Sequence, residues 1–227
     1  NPSRRPFLDY YHRLGADWFE YPQNPLNLQR PSESFRRPLC NGKHACLNPT
    51  SQNKSRNNPH RKSPNMYQSF GGATGIRTLT DRFYDLMELE PQYQALRQMH
   101  GEDMTLIREK LYEFFSGWLG GPQLFVEKYG HPQLRARHMP FAVNVQVRNE
   151  WIACFAQAMS GLDIDKAFAE PVLIQVFAMA DWCRNQNEDG IEPPRPPMAV
   201  DPWVRAPELQ QILSSYGVDS FFKEFAG

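Results

Sequence analysis

Four cysteines in 227 residues are too few to staple a fold of this size. No apolar run approaches the roughly 18–20 residues that a membrane-spanning helix needs. A charged start followed by a long apolar stretch, the mark of a secretory signal, is missing from the N-terminus. No GxGxxG fingerprint is present, so a nicotinamide or flavin domain is not expected in this chain. Net charge is missing as well, at 25 basic and 25 acidic residues. These absences point to a reducing, cytoplasmic setting without a membrane role.

The neutrality hides an asymmetry. Residues 1–65 carry 11 Lys/Arg against 4 Asp/Glu, and residues 66–227 carry 14 against 21. Residues 1–65 hold nine prolines, 66–187 five, and the last 40 residues six. Residues 1–65 show no sustained period and are expected to be a disordered arm or translated upstream sequence. Cys40 and Cys46, with His44 and His60, match no standard zinc spacing. The basic residues there are scattered singly, which speaks against nucleic-acid binding. The folded unit is expected over 66–187, followed over 188–227 by the stiff linker EPPRPP and a possible short amphipathic helix.

Within 66–187 the apolar residues recur at helical spacing. Ile76, Leu79, Phe83, Leu86 and Met87 form one face, and Ile107, Leu111, Phe114, Phe115 and Trp118 another. Gly120-Gly121-Pro122 ends the second of these helices. A later helix is expected to bury Trp151, Cys154 and Phe155, and the last to start at Pro171. Nothing alternates with period two, so the class is all-α. The inner faces are rich in aromatics, Phe141 among them, which suits either an ordinary core or a flat apolar ligand held between helices.

YGHPQLRARHMPF, residues 129–141, sets two histidines and two arginines between two prolines. His131 precedes Pro132 and is expected at the surface. His138 reads as a satisfied core histidine or as a ligand, since neutral imidazole is a common axial ligand of haem iron.

Together with GG at 71–72, RFY at 82–84, HGEDM at 100–104, GWLGGP at 117–122 and RNEWIACF at 148–155, this run resembles the group II truncated haemoglobins. The resemblance covers about 66–185 and implies a shortened, two-over-two globin fold around one haem b. It implies His138 as the iron ligand and Arg137 as partner of a haem propionate, with Arg135 weaker and open to simple solvation. On the distal side it implies Tyr84 and Trp151 as hydrogen-bond donors to the bound ligand, although Trp151 is equally at home in a helical core. His100 would add a third polar group. Ile107 falls where ordinary globins carry the distal histidine, and Leu111 and Phe114 fall where side chains pack on the haem.

The expected ligands are O2, NO, CO or peroxide. Two classes of function follow: reversible O2 binding with slow release, for storage, transport or sensing, or NO dioxygenation or peroxide reduction served by a separate reductase. A monomer or weak homodimer is expected.

Overall fold

The computed structural model describes residues 66–164, 166–187, 189–191 and 202–218. The candidate zinc residues Cys40, His44, Cys46 and His60 lie outside them, as do the arm and the EPPRPP linker. Every regular element among the described residues is helical: α1 (Met66–Ser69), α2 (Gly72–Leu89), a 3-10 turn (Pro91–Tyr93), α3 (Gln94–Gln98), α4 (Thr105–Trp118), α5 (Leu124–Tyr129), α6 (Leu134–His138), α7 (Val145–Ser160), α8 (Lys166–Cys183), a second 3-10 turn (Pro202–Arg205) and α9 (Ala206–Ser215). No helix among them is long and apolar enough to cross a membrane.

The helical period of α2 puts Ile76, Leu79, Phe83, Tyr84 and Met87 on one buried face. That face packs on α4 and α7. Phe83 is the hinge of the core, 5.2 Å from the Trp151 ring and 6.2 Å from Phe155. Phe115 stacks on the other side of Phe155 at 5.1 Å. Burying side chains of this size stabilises the fold by about 1.5–3 kcal/mol each. Cys154 and Cys183 are buried free thiols, and burial pushes the Cys183 thiol up to about 12.

Tight turns place these helices. Gly71, at φ 81, turns the chain into α2, a conformation that side chains with a Cβ disfavour. Beyond α4, a Cβ on Gly121 would meet the Tyr67 ring at 2.2 Å, so the α4–α5 turn closes over α1 only with glycine there. Glu113, buried on α4, pairs with Lys128 of α5 and ties the two helices together.

Two sequence expectations are corrected. The last globin helix starts at Lys166, and Pro171 lies inside it. Pro171 forfeits one backbone bond, but Ala169, Val172 and Leu173 are buried on both sides of it and hold the turn in place. Ile107 and Phe141, expected on inner faces, are 38% and 48% exposed. Phe141 lies in the turn just after His138, its N–H donating to the His138 carbonyl.

Candidate haem site

His138 closes the short helix α6, and burial is what sets its chemistry. Its Nδ1 lies 2.6 Å from the Leu134 carbonyl oxygen, which can only accept, so Nδ1 carries the proton. The lone pair is therefore on Nε2. Burial lowers the pKa of the ring below its usual value, against the pull of the Leu134 carbonyl, so it is neutral at pH 7. A neutral imidazole oriented by a backbone carbonyl is the form that binds metals.

Asn185 fixes the loop behind it. Its side-chain amide donates to the His138 and Phe141 carbonyls at 2.9 and 2.8 Å, and its Oδ1 accepts from the Val143 N–H at 3.1 Å. Nothing in the sequence flags this residue, because a lone Asn after a helix is a common cap.

The two arginines divide. Arg135 is not solvated: it donates to the Trp182 and Arg184 carbonyls at 2.9 and 2.7 Å. It satisfies backbone oxygens at the end of α8 that no helical N–H can reach. Arg137 stays exposed, its Nε donating to the Pro132 carbonyl at 2.8 Å and its guanidinium 5.6 Å from the Phe125 ring centre. His131 is exposed and accepts from the Gln133 N–H in the turn before α6.

On the distal side, Tyr84 points from α2 toward α4 and donates to the Ile107 carbonyl over a long 3.4 Å. Its ring meets the His100 ring edge-on at 6.0 Å. Burial raises its pKa well above the usual value, outweighing the nearby Arg108 cation, so the hydroxyl keeps its proton and remains a donor. Trp151 is not in this contact. It stacks on Phe155 at 5.2 Å and reaches Tyr84 only through Phe83. Leu111 is half-buried, and Phe114 is buried edge-to-face against Phe115 and Phe125. Arg108 locks α4 to α2 by pairing with Asp85 at 2.7 Å and Glu88 at 3.3 Å. The acidic ladder Asp81, Asp85, Glu88 on one face of α2 was the sequence signal for that contact.

His100, expected to add a third polar group, is tied to the backbone through one ring nitrogen. Its Nδ1–H goes to the Leu96 carbonyl at 2.9 Å, leaving Nε2 as an acceptor. Burial lowers its pKa; the Leu96 carbonyl opposes that, and the charges of Arg97 and His138 lower it further. At neutral pH it therefore accepts, and it donates from Nε2 only once protonated.

Among the described residues no three or more His, Cys, Asp or Glu side chains converge on a point that could hold a bare metal ion. Haem asks less of a protein: one neutral imidazole and an apolar slot. Leu106, Ile107, Val126, Met139 and Phe141 leave large apolar surface exposed on α4, on α5 and beside His138, which suits a flat apolar cofactor. The residues present thus fit haem.

Lowered histidines make the haem-free chain acid-labile. Unfolded, His100 and His138 bind protons near 6.5, whereas the folded rings resist them to lower pH. Below 6.5 the unfolded state takes up protons that the folded state does not, so stability falls with pH. The haem-free chain is expected to melt at a lower temperature at about pH 5.5 than at about pH 7.5. A chain carrying Gln at both positions should lose most of that difference in thermal melting.

An all-α fold with a neutral histidine oriented by a backbone carbonyl and a buried tyrosine on α2 suits a globin. The family model for the bacterial-like globins matches residues 65–185, more than half of the chain. The group 2 truncated hemoglobin YjbI of Bacillus subtilis is 32% identical over 113 residues, covering 50% of this chain and 83% of that protein. Among solved structures, the cold-adapted truncated hemoglobin of Pseudoalteromonas haloplanktis is 36% identical, with TM-score 0.53 over 54% of this chain and 98% of its own. The group II 2-on-2 hemoglobin of Agrobacterium tumefaciens is 34% identical, with TM-score 0.55 over 57% of this chain and 99% of its own. The chain belongs to the bacterial-like globins, and within them to the group II truncated haemoglobins. Haem binding comes with that membership.

Proposed function

We propose that the chain binds haem b through Nε2 of His138 and holds O2 on the distal side with slow release. The Nδ1–H bond from His138 to Leu134, at 2.6 Å, carries this reading, because it presents a neutral nitrogen to the slot. Haem iron supplies an open coordination position that takes O2, NO or CO. The protein supplies the rest. Tyr84 donates its hydroxyl proton to the ligand, giving up a 3.4 Å contact with the Ile107 carbonyl that costs little to break. Trp151 offers its indole N–H as the second donor, and Ile107 and Leu111 wall the slot against water. Arg137 pairs with a haem propionate from its exposed position beside α6.

The test is an absorption spectrum of the full chain loaded with haem, reduced, then exposed to air. A stable oxygenated spectrum supports the reading, and no haem uptake overturns it. Tyr84→Phe removes a donor to a partly charged ligand, worth about 1–3 kcal/mol in a dry site. O2 dissociation should then rise about 5- to 150-fold, measured by stopped-flow displacement with CO.

His100 favours a second reading, an enzyme. A neutral imidazole beside the ligand space can accept a proton from peroxide and pass it to the departing oxygen, while Tyr84 hydrogen-bonds to that oxygen and keeps its proton. NO dioxygenation or peroxide reduction would draw electrons from a separate reductase. Turnover with NO or peroxide under a chemical reductant separates this from simple O2 binding, and His100→Leu should lower peroxide turnover more than O2 affinity.

A further inference from the structure

Residues 202–218 lie beyond the matched globin region, yet they are built into its packing. Leu209, Ile212 and Leu213 of α9 are buried against α7 and α8, and Val218 is buried after them. The start of the segment is held by charge. Arg205 pairs with Asp181 at 2.9 Å, and Glu208 pairs with Arg148 at 3.0 Å. Its end is held by aromatic contact: Tyr216 stacks on Tyr93 at 6.1 Å with the rings 18° apart.

Tyr93 and its neighbour Glu150 are where this segment meets the distal side. Tyr93 is fully buried and donates to Gln157 of α7 at 2.5 Å. Glu150, also buried on α7, accepts the Leu96 N–H at 2.8 Å and the Gln146 side chain at 3.0 Å. Tyr93 leads directly into α3, the short helix that carries Leu96. The Leu96 backbone is held on both sides: its N–H by Glu150, its carbonyl by the His100 ring. His100 in turn meets Tyr84 edge-on.

We infer that residues 202–218 are a built-in clamp on the distal wall: by packing on Tyr93, at the start of α3, they fix Leu96, which Glu150 also holds, and through it the His100 ring that backs Tyr84. Tyr216, Tyr93 and Glu150 are then positioning residues for ligand release. The inference rests on the ligand-binding reading above.

The test uses the full chain. In Tyr216→Ala, exchange of the Leu96 amide in the haem-free protein should speed up by about tenfold or more, while the Phe115 amide on α4 exchanges as in wild type. With haem bound, O2 dissociation should rise roughly three- to tenfold, and Tyr216→Phe, which keeps the stack, should match wild type. In a His100→Leu background the effect of Tyr216→Ala on dissociation should vanish, because the bond to the Leu96 carbonyl is already gone. Unchanged Leu96 exchange overturns the clamp, as does a dissociation effect that persists in full without His100. Equal acceleration at Leu96 and Phe115 also overturns it, as general loosening. A wild-type chain that takes up no haem defeats the ligand reading alone, since the exchange comparison still decides whether the clamp exists.

Discussion

Replacing His138 with alanine is expected to weaken haem retention by at least about 100-fold, because even residues that merely orient a metal ligand are worth 10- to 100-fold. The expectation follows from the geometry of α6. Leu134 accepts the Nδ1 proton at 2.6 Å, so only Nε2 can bind iron, and it is aimed before any cofactor arrives. Among the described histidines, His131 is exposed and uses its Nδ1 to accept from a backbone N–H in a turn. His100 has its Nδ1 engaged by the Leu96 carbonyl. The measurement is haem transfer to an excess of a haem-free acceptor, followed by absorption. Free imidazole should restore the spectrum of the variant by filling the space the side chain vacated. Restoration separates loss of the ligand from loss of the fold. A variant that holds haem as tightly as wild type, with an unchanged spectrum, would rule out His138 as the ligand.

What the sequence made legible follows from which forces are local. The α2 face from Ile76 to Met87 was readable because a helix repeats every 3.6 residues, and packing obeyed that repeat. The glycine turns were readable because φ at Gly71 and crowding at Gly121 leave few other residues possible. Pro171 misled because proline usually opens a helix, whereas buried neighbours here carry the helix through it. Ile107 and Phe141 read as core because apolar residues in helical or loop patterns look alike whether they pack on protein or line a slot. The protonation of His100 was not legible, because it depends on burial and on the Leu96 carbonyl. Arg135 and Asn185 were opaque for another reason. Their partners lie more than 40 positions away, and neither residue type announces a long-range hydrogen bond. The assignment of Arg137 and Trp151 to cofactor and ligand still rests on resemblance and on the proposed function.

Asp181→Ala is expected to destabilise the folded chain by about 3–5 kcal/mol, the usual cost of stranding a buried charge. Asp181 and Arg148 are each only 4% exposed and pair at 2.7 Å, with Arg205 on the second carboxylate oxygen at 2.9 Å and Arg184 at 3.6 Å. Removing Asp181 leaves the Arg148, Arg184 and Arg205 guanidinium groups without it, Glu208 still pairing with Arg148 and Arg205. Burial already lowers the pKa of Arg148 against the pull of Asp181 and Glu208, so the cation has little reserve. For a chain of this size the thermal midpoint should fall by roughly 10 °C or more. The companion test is the double replacement of Asp181 by Leu and Arg148 by Met. It removes both charges and keeps the volume, so it should recover much of the loss. Recovery would show that the penalty in the single variant is the stranded charge and not the lost contact. The haem side should register the single variant too. Asp181 lies one helical turn before Asn185, whose amide holds the His138 carbonyl at 2.9 Å. A loosened end of α8 therefore frees the loop behind His138, the proposed iron ligand, and haem loss should accelerate in Asp181→Ala well below its melting temperature. Haem loss at the wild-type rate in a clearly destabilised variant would show that Asn185 holds the loop independently of the charge cluster.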